Sequence, residues 1–230
     1  MRYDTFLLDV DDTVFDFSAC AKNALFAALS DSGIEPKEEY HARYLAINDR
    51  LWGRLERGEI GHGALVEERF RLFLEEIGRE DVSPEDLNAR YVSRLSLQTQ
   101  TIAGAEEFLA ELCKLGRIYI VTNGTACVQR ERFSRFRMER FAAGVFISEE
   151  IGYYKPSHKF YRYCATHIPR YRRERTLLIG DGLSSDIPMA QQAGVDCVWF
   201  NPRGVPFGGE RPPTFEARTY QEALRAARRE

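Results

Sequence analysis

The chain has few of the features that mark a secreted, thiolate-metal or membrane protein. Its five cysteines, Cys20, Cys113, Cys127, Cys164 and Cys197, include no CxxC pair, so neither a disulfide framework nor a thiolate zinc site is signalled and reduced thiols are expected. The N-terminus has no long apolar run and reaches Asp9 soon after Phe6. Secretion and membrane insertion are therefore disfavoured, and the cytoplasm is the expected compartment. The four histidines, His41, His62, His158 and His167, are dispersed without the spacing of a helical zinc motif. A GxGxxG fingerprint is missing after the first apolar run, which argues against hydride transfer. Basic charge is not in excess either: 32 basic and 35 acidic residues leave a net charge of -3, which gives no general footprint for nucleic acid. The local clusters PRYRRER (169 to 175) and RAARRE at the end suit solvated helix ends or loops.

What the chain does have is an ordinary globular balance, with 44% hydrophobic and 29% charged residues over 230 positions. That length suits one sizeable core, or a core carrying a smaller domain. Short apolar runs at Thr5 to Leu8, Arg117 to Val121, Gly144 to Ile147, Thr176 to Ile179 and Cys197 to Phe200 predict buried strands. Helix-length segments such as AGAEEFLAELCKLG and PSHKFYRYCATH lie between the later ones. This alternation predicts an α/β fold, a parallel sheet covered on both faces that binds ligands at its strand C-terminal ends.

Residues from about 17 to 99 break the alternation and are too many for a structureless loop. Tyr40, Tyr44, Ile47 and Leu51 repeat with a helical period, as do Val66, Phe70, Phe73, Leu74 and Ile77. An all-helical insert follows, punctuated by Gly58, Gly61 and Gly63, with Ser83 and Pro84 opening a helix as N-cap and first residue. Its aromatic residues are expected in its own core.

The chemistry starts in YDTFLLDVDDTVFDF (3 to 17), where an apolar run ends in Asp9, Asp11 and Asp12. Crowded carboxylates must be solvated, given a cation or used. Asp9 and Asp11 are two apart, so on a strand they project to one side, with Thr13 in the following turn and Asp12 pointing away. The next strand ends in Thr122 and Asn123, a later one in Asp181, and Lys155 follows shortly after Ile147. A strand-end hydroxyl and backbone amides suit phosphate oxygens, further carboxylates suit a hard divalent cation, and the lysine adds counter-charge.

These segments, in this order, resemble the haloacid dehalogenase-like superfamily of phosphotransferases: DxDxT (Asp9, Asp11, Thr13), a strand-end Thr122, Lys155 followed by Pro156, and an acidic motif with Asp181 and Asp186. The resemblance implies a Rossmann-like core of residues 1–16 and 100–230 with a helical cap, 17–99, inserted after the first strand. It implies Asp9 as the nucleophile that forms an aspartyl-phosphate, and Asp11 as general acid and then base. It also implies Mg2+ on the Asp9 carboxylate, the Asp11 carbonyl and Asp181. Thr122, the Asn123 amide and Lys155 would hold the phosphoryl group, and Asp186 would position Lys155 or the metal shell.

The cap segment YLAINDRLWGRLERGEI (44 to 60), and VFISEEIGYYKP (145 to 156) with Glu149 and Glu150, resemble the pyrimidine 5'-nucleotidase branch. In that reading Asn48 or Arg50 hydrogen-bonds a base or sugar and Trp52 stacks on it; in the alternative Trp52 is packed core and the polar pair is exposed. The expected partner is a small phosphate ester, a nucleotide first, with no nucleic acid or membrane, and the chain a monomer or homodimer. A phosphatase of small sugar phosphates or phosphoglycolate, a phosphomutase and a catalytically silent binding module are the competing readings. A dehalogenase is disfavoured by Asp11.

Overall fold

The computed structural model describes residues 2–229. Six strands form one parallel sheet: β1 (Thr5–Leu8), β2 (Arg117–Thr122), β3 (Ala142–Ile147), β4 (Thr176–Gly180), β5 (Asp196–Phe200) and β6 (Phe215–Ala217), in the order β3-β2-β1-β4-β5-β6. All pairings are parallel, and β1 lies between β2 and β4 with Leu8 opposite both Ile120 and Ile179. Every residue of β1 and β4 is buried, as expected of strands covered on both faces. The chain leaves β1 for one side of the sheet and later returns to the other, which creates a switch point beside β1.

Among the described residues, ten α-helices accompany the strands: α1 (Phe17–Asp31), α2 (Glu38–Glu56), α3 (His62–Glu76), α4 (Pro84–Ser96), α5 (Ala105–Leu115), α6 (Ala126–Phe136), α7 (Ser148–Ile151), α8 (His158–His167), α9 (Asp186–Ala193) and α10 (Tyr220–Arg228). No helix among the described residues is long and apolar enough to cross a membrane.

The chain divides into two compact units, one of residues 1–16, 101–126 and 136–230, the other of residues 17–100 and 127–135. The first holds the sheet. The second is helical, and its core gathers Tyr44 of α2, Phe70 and Phe73 of α3 and Tyr91 of α4. Tyr44 stacks on Phe70 at 5.5 Å and meets Tyr91 at 5.1 Å, and such ring pairs add about 0.5–1.5 kcal/mol each beyond area burial. Tyr40, Tyr44, Phe70, Phe73 and Tyr91 are thus core, while Phe26 and Trp52 are half-buried. Ser83 caps α4 by accepting from the Asp86 N–H at 3.1 Å, with Pro84 in the first turn.

Residues 127–135 group with the helical unit. Arg132 on α6 is 1% exposed, and its guanidinium donates to the Gln98 carbonyl at 2.9 Å and to Gln129 Oε1 at 3.2 Å. A buried guanidinium needs such acceptors, and Gln98 lies in the helical unit.

Candidate active site

β1 stops at Leu8, and Asp9 continues its line by donating its N–H to the Ile179 carbonyl of β4 at 2.9 Å. The chain then turns: the N–H groups of Val14 and Phe15 both donate to the Val10 carbonyl at 2.8 Å, and Asp12 takes φ 55°, a left-handed conformation that aspartate tolerates. Asp9 and Asp11 therefore lie beyond the strand, and strand alternation does not set their directions. Asp9 is buried, while Asp11 and Asp12 are half-buried in the turn.

Lys155 is the centre of the arrangement. Its Nζ donates to Asp9 Oδ1 at 2.6 Å, to Asp186 Oδ1 at 2.8 Å and to the Val121 carbonyl at 3.0 Å, which occupies all three ammonium donors. The side chain is 2% exposed. Asn123, at the end of β2, fixes its backbone: the Lys155 N–H donates to Asn123 Oδ1 at 2.8 Å and Asn123 Nδ2 donates to the Lys155 carbonyl at 3.0 Å. The Asn123 side chain thus holds the lysine. Beside it, Thr122 is buried and its Oγ1 accepts from the Gly124 N–H at 3.0 Å.

Asp186 opens α9. One carboxylate oxygen takes Lys155, and the other accepts from the Gly182 N–H at 3.1 Å. The glycines around it leave it room: a Cβ at Gly180 would lie 2.5 Å from Asp186 Oδ2 and one at Gly182 2.8 Å. Asp181 follows β4, with Thr13 Oγ1 donating to its Oδ1 at 3.4 Å and Trp199 Nε1 donating to its carbonyl at 3.0 Å.

Asp9, Asp181 and Asp186 each present a carboxylate oxygen, all within 4.8 Å of one another. Burial is the largest influence on Asp9; Lys155 opposes it, Asp186 and Asp11 reinforce it, and the carboxyl is pushed up to about 7. Burial likewise pushes Asp181 well above the carboxylate range, helped by Asp9, Asp186 and Asp12, so Asp12 bears on the site electrostatically. Burial alone would lower Lys155, but Asp186 and Asp9 more than offset it and keep the ammonium charged. Three acids share one cation. A compact set of hard oxygen donors with surplus negative charge fits a divalent cation of the magnesium type.

Residues 3–194 match the family model described as haloacid dehalogenase-like hydrolase. The chain belongs to this family. It is 36% identical to YfnB of Bacillus subtilis (strain 168), named as a HAD-hydrolase, over 221 residues covering 96% of this chain and 94% of that one. It is 33% identical to the pyrimidine 5'-nucleotidase PynA of Streptococcus pneumoniae (strain ATCC BAA-255 / R6) over 225 residues, 97% of this chain and 94% of PynA. The pyrimidine 5'-nucleotidase YjjG of Escherichia coli (strain K12) is 29% identical over 201 residues, 87% of each chain. The magnesium-bound crystal structure of YfnB superposes with a TM-score of 0.92 over 99% of both chains at 35% identity.

In this haloacid dehalogenase-like hydrolase, the cap candidates all lie on α2. Asn48 is 2% exposed and its Oδ1 accepts from Trp52 Nε1 at 3.2 Å, while Trp52 is half-buried and Arg50 exposed. The alternative that exposed both polar residues fails for Asn48, which the indole draws inward. Glu149, quoted for its resemblance, has its Oε2 accepting from the Ala126 N–H at 2.6 Å at the start of α6, a favourable place for a carboxylate.

Two residues that bear on the site carried no warning in the sequence. Trp199 reaches Asp181, and Tyr220 donates its hydroxyl to the Thr13 carbonyl at 2.9 Å with its ring stacked on Phe108 (4.6 Å) and Phe200 (4.8 Å). Each looks like an ordinary core aromatic, because a hydrogen bond to a distant carbonyl leaves no local pattern.

Proposed function

We propose that this hydrolase is a magnesium-dependent phosphomonoesterase that works through an aspartyl-phosphate, with pyrimidine nucleoside monophosphates as its substrates. The observation that carries the reaction is the buried Lys155 ammonium between Asp9 and Asp186, beside Asp181. Lys155 engages only Oδ1 of Asp9, which leaves Oδ2 as the attacking oxygen. In the first step that oxygen bonds to phosphorus as the ester P–O bond breaks, and Asp11 gives its proton to the departing alkoxide. In the second, water attacks phosphorus, Asp11 takes the proton, and the Asp9–phosphorus bond breaks to release inorganic phosphate.

The Thr122 hydroxyl and the Asn123 N–H hold the transferring phosphoryl group, since the Asn123 side chain is engaged with Lys155. Lys155, saturated by protein acceptors, acts through its charge and by fixing Asp9. Both Asp186 oxygens are engaged, so Asp9, Asp181 and the Asp11 carbonyl are the ligands we assign to magnesium, with Asp186 as support. Bound magnesium supplies Lewis-acid charge to the phosphoryl oxygens and offsets the repulsion among the acids.

The substrate class rests on the relatives named as pyrimidine 5'-nucleotidases. We assign substrate choice to residues 17–99, the helical cap that the resemblance implies, with Trp52 and Arg50 as the residues for the nucleoside and Asn48 orienting Trp52. A panel of phosphate esters tests it. UMP, dUMP and dTMP are expected to be hydrolysed with much higher kcat/KM than AMP, phosphoglycolate or hexose phosphates. A flat profile, or a sugar phosphate leading the panel, contradicts the nucleotidase reading.

A further inference from the structure

Trp199 lies on β5 opposite Gly180 of β4, beyond residue 194 where the family match ends. Its indole N–H ends on the Asp181 carbonyl at 3.0 Å. The N–H of the same peptide unit, on Gly182, donates to Asp186 Oδ2 at 3.1 Å. One peptide group is thus held at its oxygen and at its hydrogen by side chains from two elements, and it cannot rotate without losing a bond at either end. The Asp181 side chain leaves the backbone at the adjoining Cα, so holding that peptide fixes the point from which the carboxylate is aimed.

The indole itself is fixed. Trp199 is 3% exposed, packs with Ile187 and Met189 in the core, and meets Phe207 edge-on at 5.9 Å. A phenylalanine would fill much of the same space but would bring no N–H to the backbone carbonyl of Asp181, a residue of the acid cluster.

We propose that Trp199 is a positioning residue for the divalent-cation site, aligning the Asp181 carboxylate through the Asp181–Gly182 peptide. This rests on the reading of Asp9 and Asp181 as cation ligands. Outer-shell partners of metal ligands characteristically govern affinity in this way.

Magnesium chloride alone, titrated calorimetrically into substrate-free wild type, W199F and F207A, tests it, with thermal unfolding of each in parallel. W199F keeps a ring and loses the donor, and its magnesium affinity is expected to fall by about tenfold. F207A loosens the packing around the indole, so its Tm falls while its magnesium affinity stays at the wild-type value. Equal affinity in W199F and wild type overturns the proposal, as does an equal loss in F207A. If W199F does not fold, W52F leaves Trp199 as the sole indole of the two in the sequence. Its emission is expected to change saturably with magnesium, and unchanged emission overturns the proposal. A wild type that takes up no magnesium instead removes the cation site and the proposed function together, a result distinct from a wild type and a W199F that bind equally.

Discussion

The Lys155 ammonium donates to the Asp9 carboxylate at 2.6 Å, across 146 residues of sequence and with both side chains buried. It is the shared counter-charge of Asp9 and Asp186. Replacing Lys155 with methionine leaves two buried carboxylates and the Val121 carbonyl without that donor. Breaking a buried pair in this way costs about 3–5 kcal/mol, so K155M is expected to lower Tm sharply and to abolish phosphatase turnover. K155R is expected to stay inactive, because a planar guanidinium cannot place donors on three acceptors gathered around one nitrogen. Thermal unfolding and phosphate release check both.

The metal-free protein is expected to lose stability as pH rises. Asp9 is pushed up to about 7 from an ordinary 3.8, chiefly by burial. Between those values the folded chain keeps a proton that the unfolded chain has released, so stability is greatest at low pH and declines through that window. Asp181 shifts in the same direction. In EDTA the Tm is expected to fall between about pH 4 and about pH 7, and added magnesium to raise Tm more at the higher pH. A Tm that rises with pH over this range contradicts the assignment.

Gly180→Ala is expected to disable the site without replacing a charged residue. The added Cβ would sit 2.5 Å from Asp186 Oδ2, so Asp186 must move, and Lys155 and the Gly182 N–H lose their partner. A misplacement of about 1 Å costs on the order of a hundredfold in rate. Steady-state kinetics check this, and a G180A enzyme with wild-type kcat would show that Asp186 has no part in holding the lysine.

The sheet and the order of the acidic segments were legible because each rests on local pattern. Apolar runs marked β1 to β5, and chain order put Asp9, Thr122, Lys155 and Asp181 at or after strand ends. The third link of the site, Asp186 gripping Lys155, was legible only through resemblance, since nothing local says which acid a lysine meets. β6 was missed because three residues, Phe215–Ala217, carry too short an alternation to register. Residues 127–135 group with the helical unit, and the long-range bond from Arg132 to Gln98 that joins them to it leaves no local pattern. Trp199 and Tyr220 escaped for the same reason: what they do is fixed by where their polar atoms end, and periodicity records only that their rings are buried.

In the proposed reaction Asp9 attacks phosphorus with magnesium present. Phosphate release from UMP by wild type and Asp9→Asn, each with magnesium or with EDTA, tests it most directly. The expected result is turnover by wild type with magnesium alone, and loss of at least about a thousandfold in the variant. Comparable turnover by the variant, or wild-type activity undiminished in EDTA, would contradict the account.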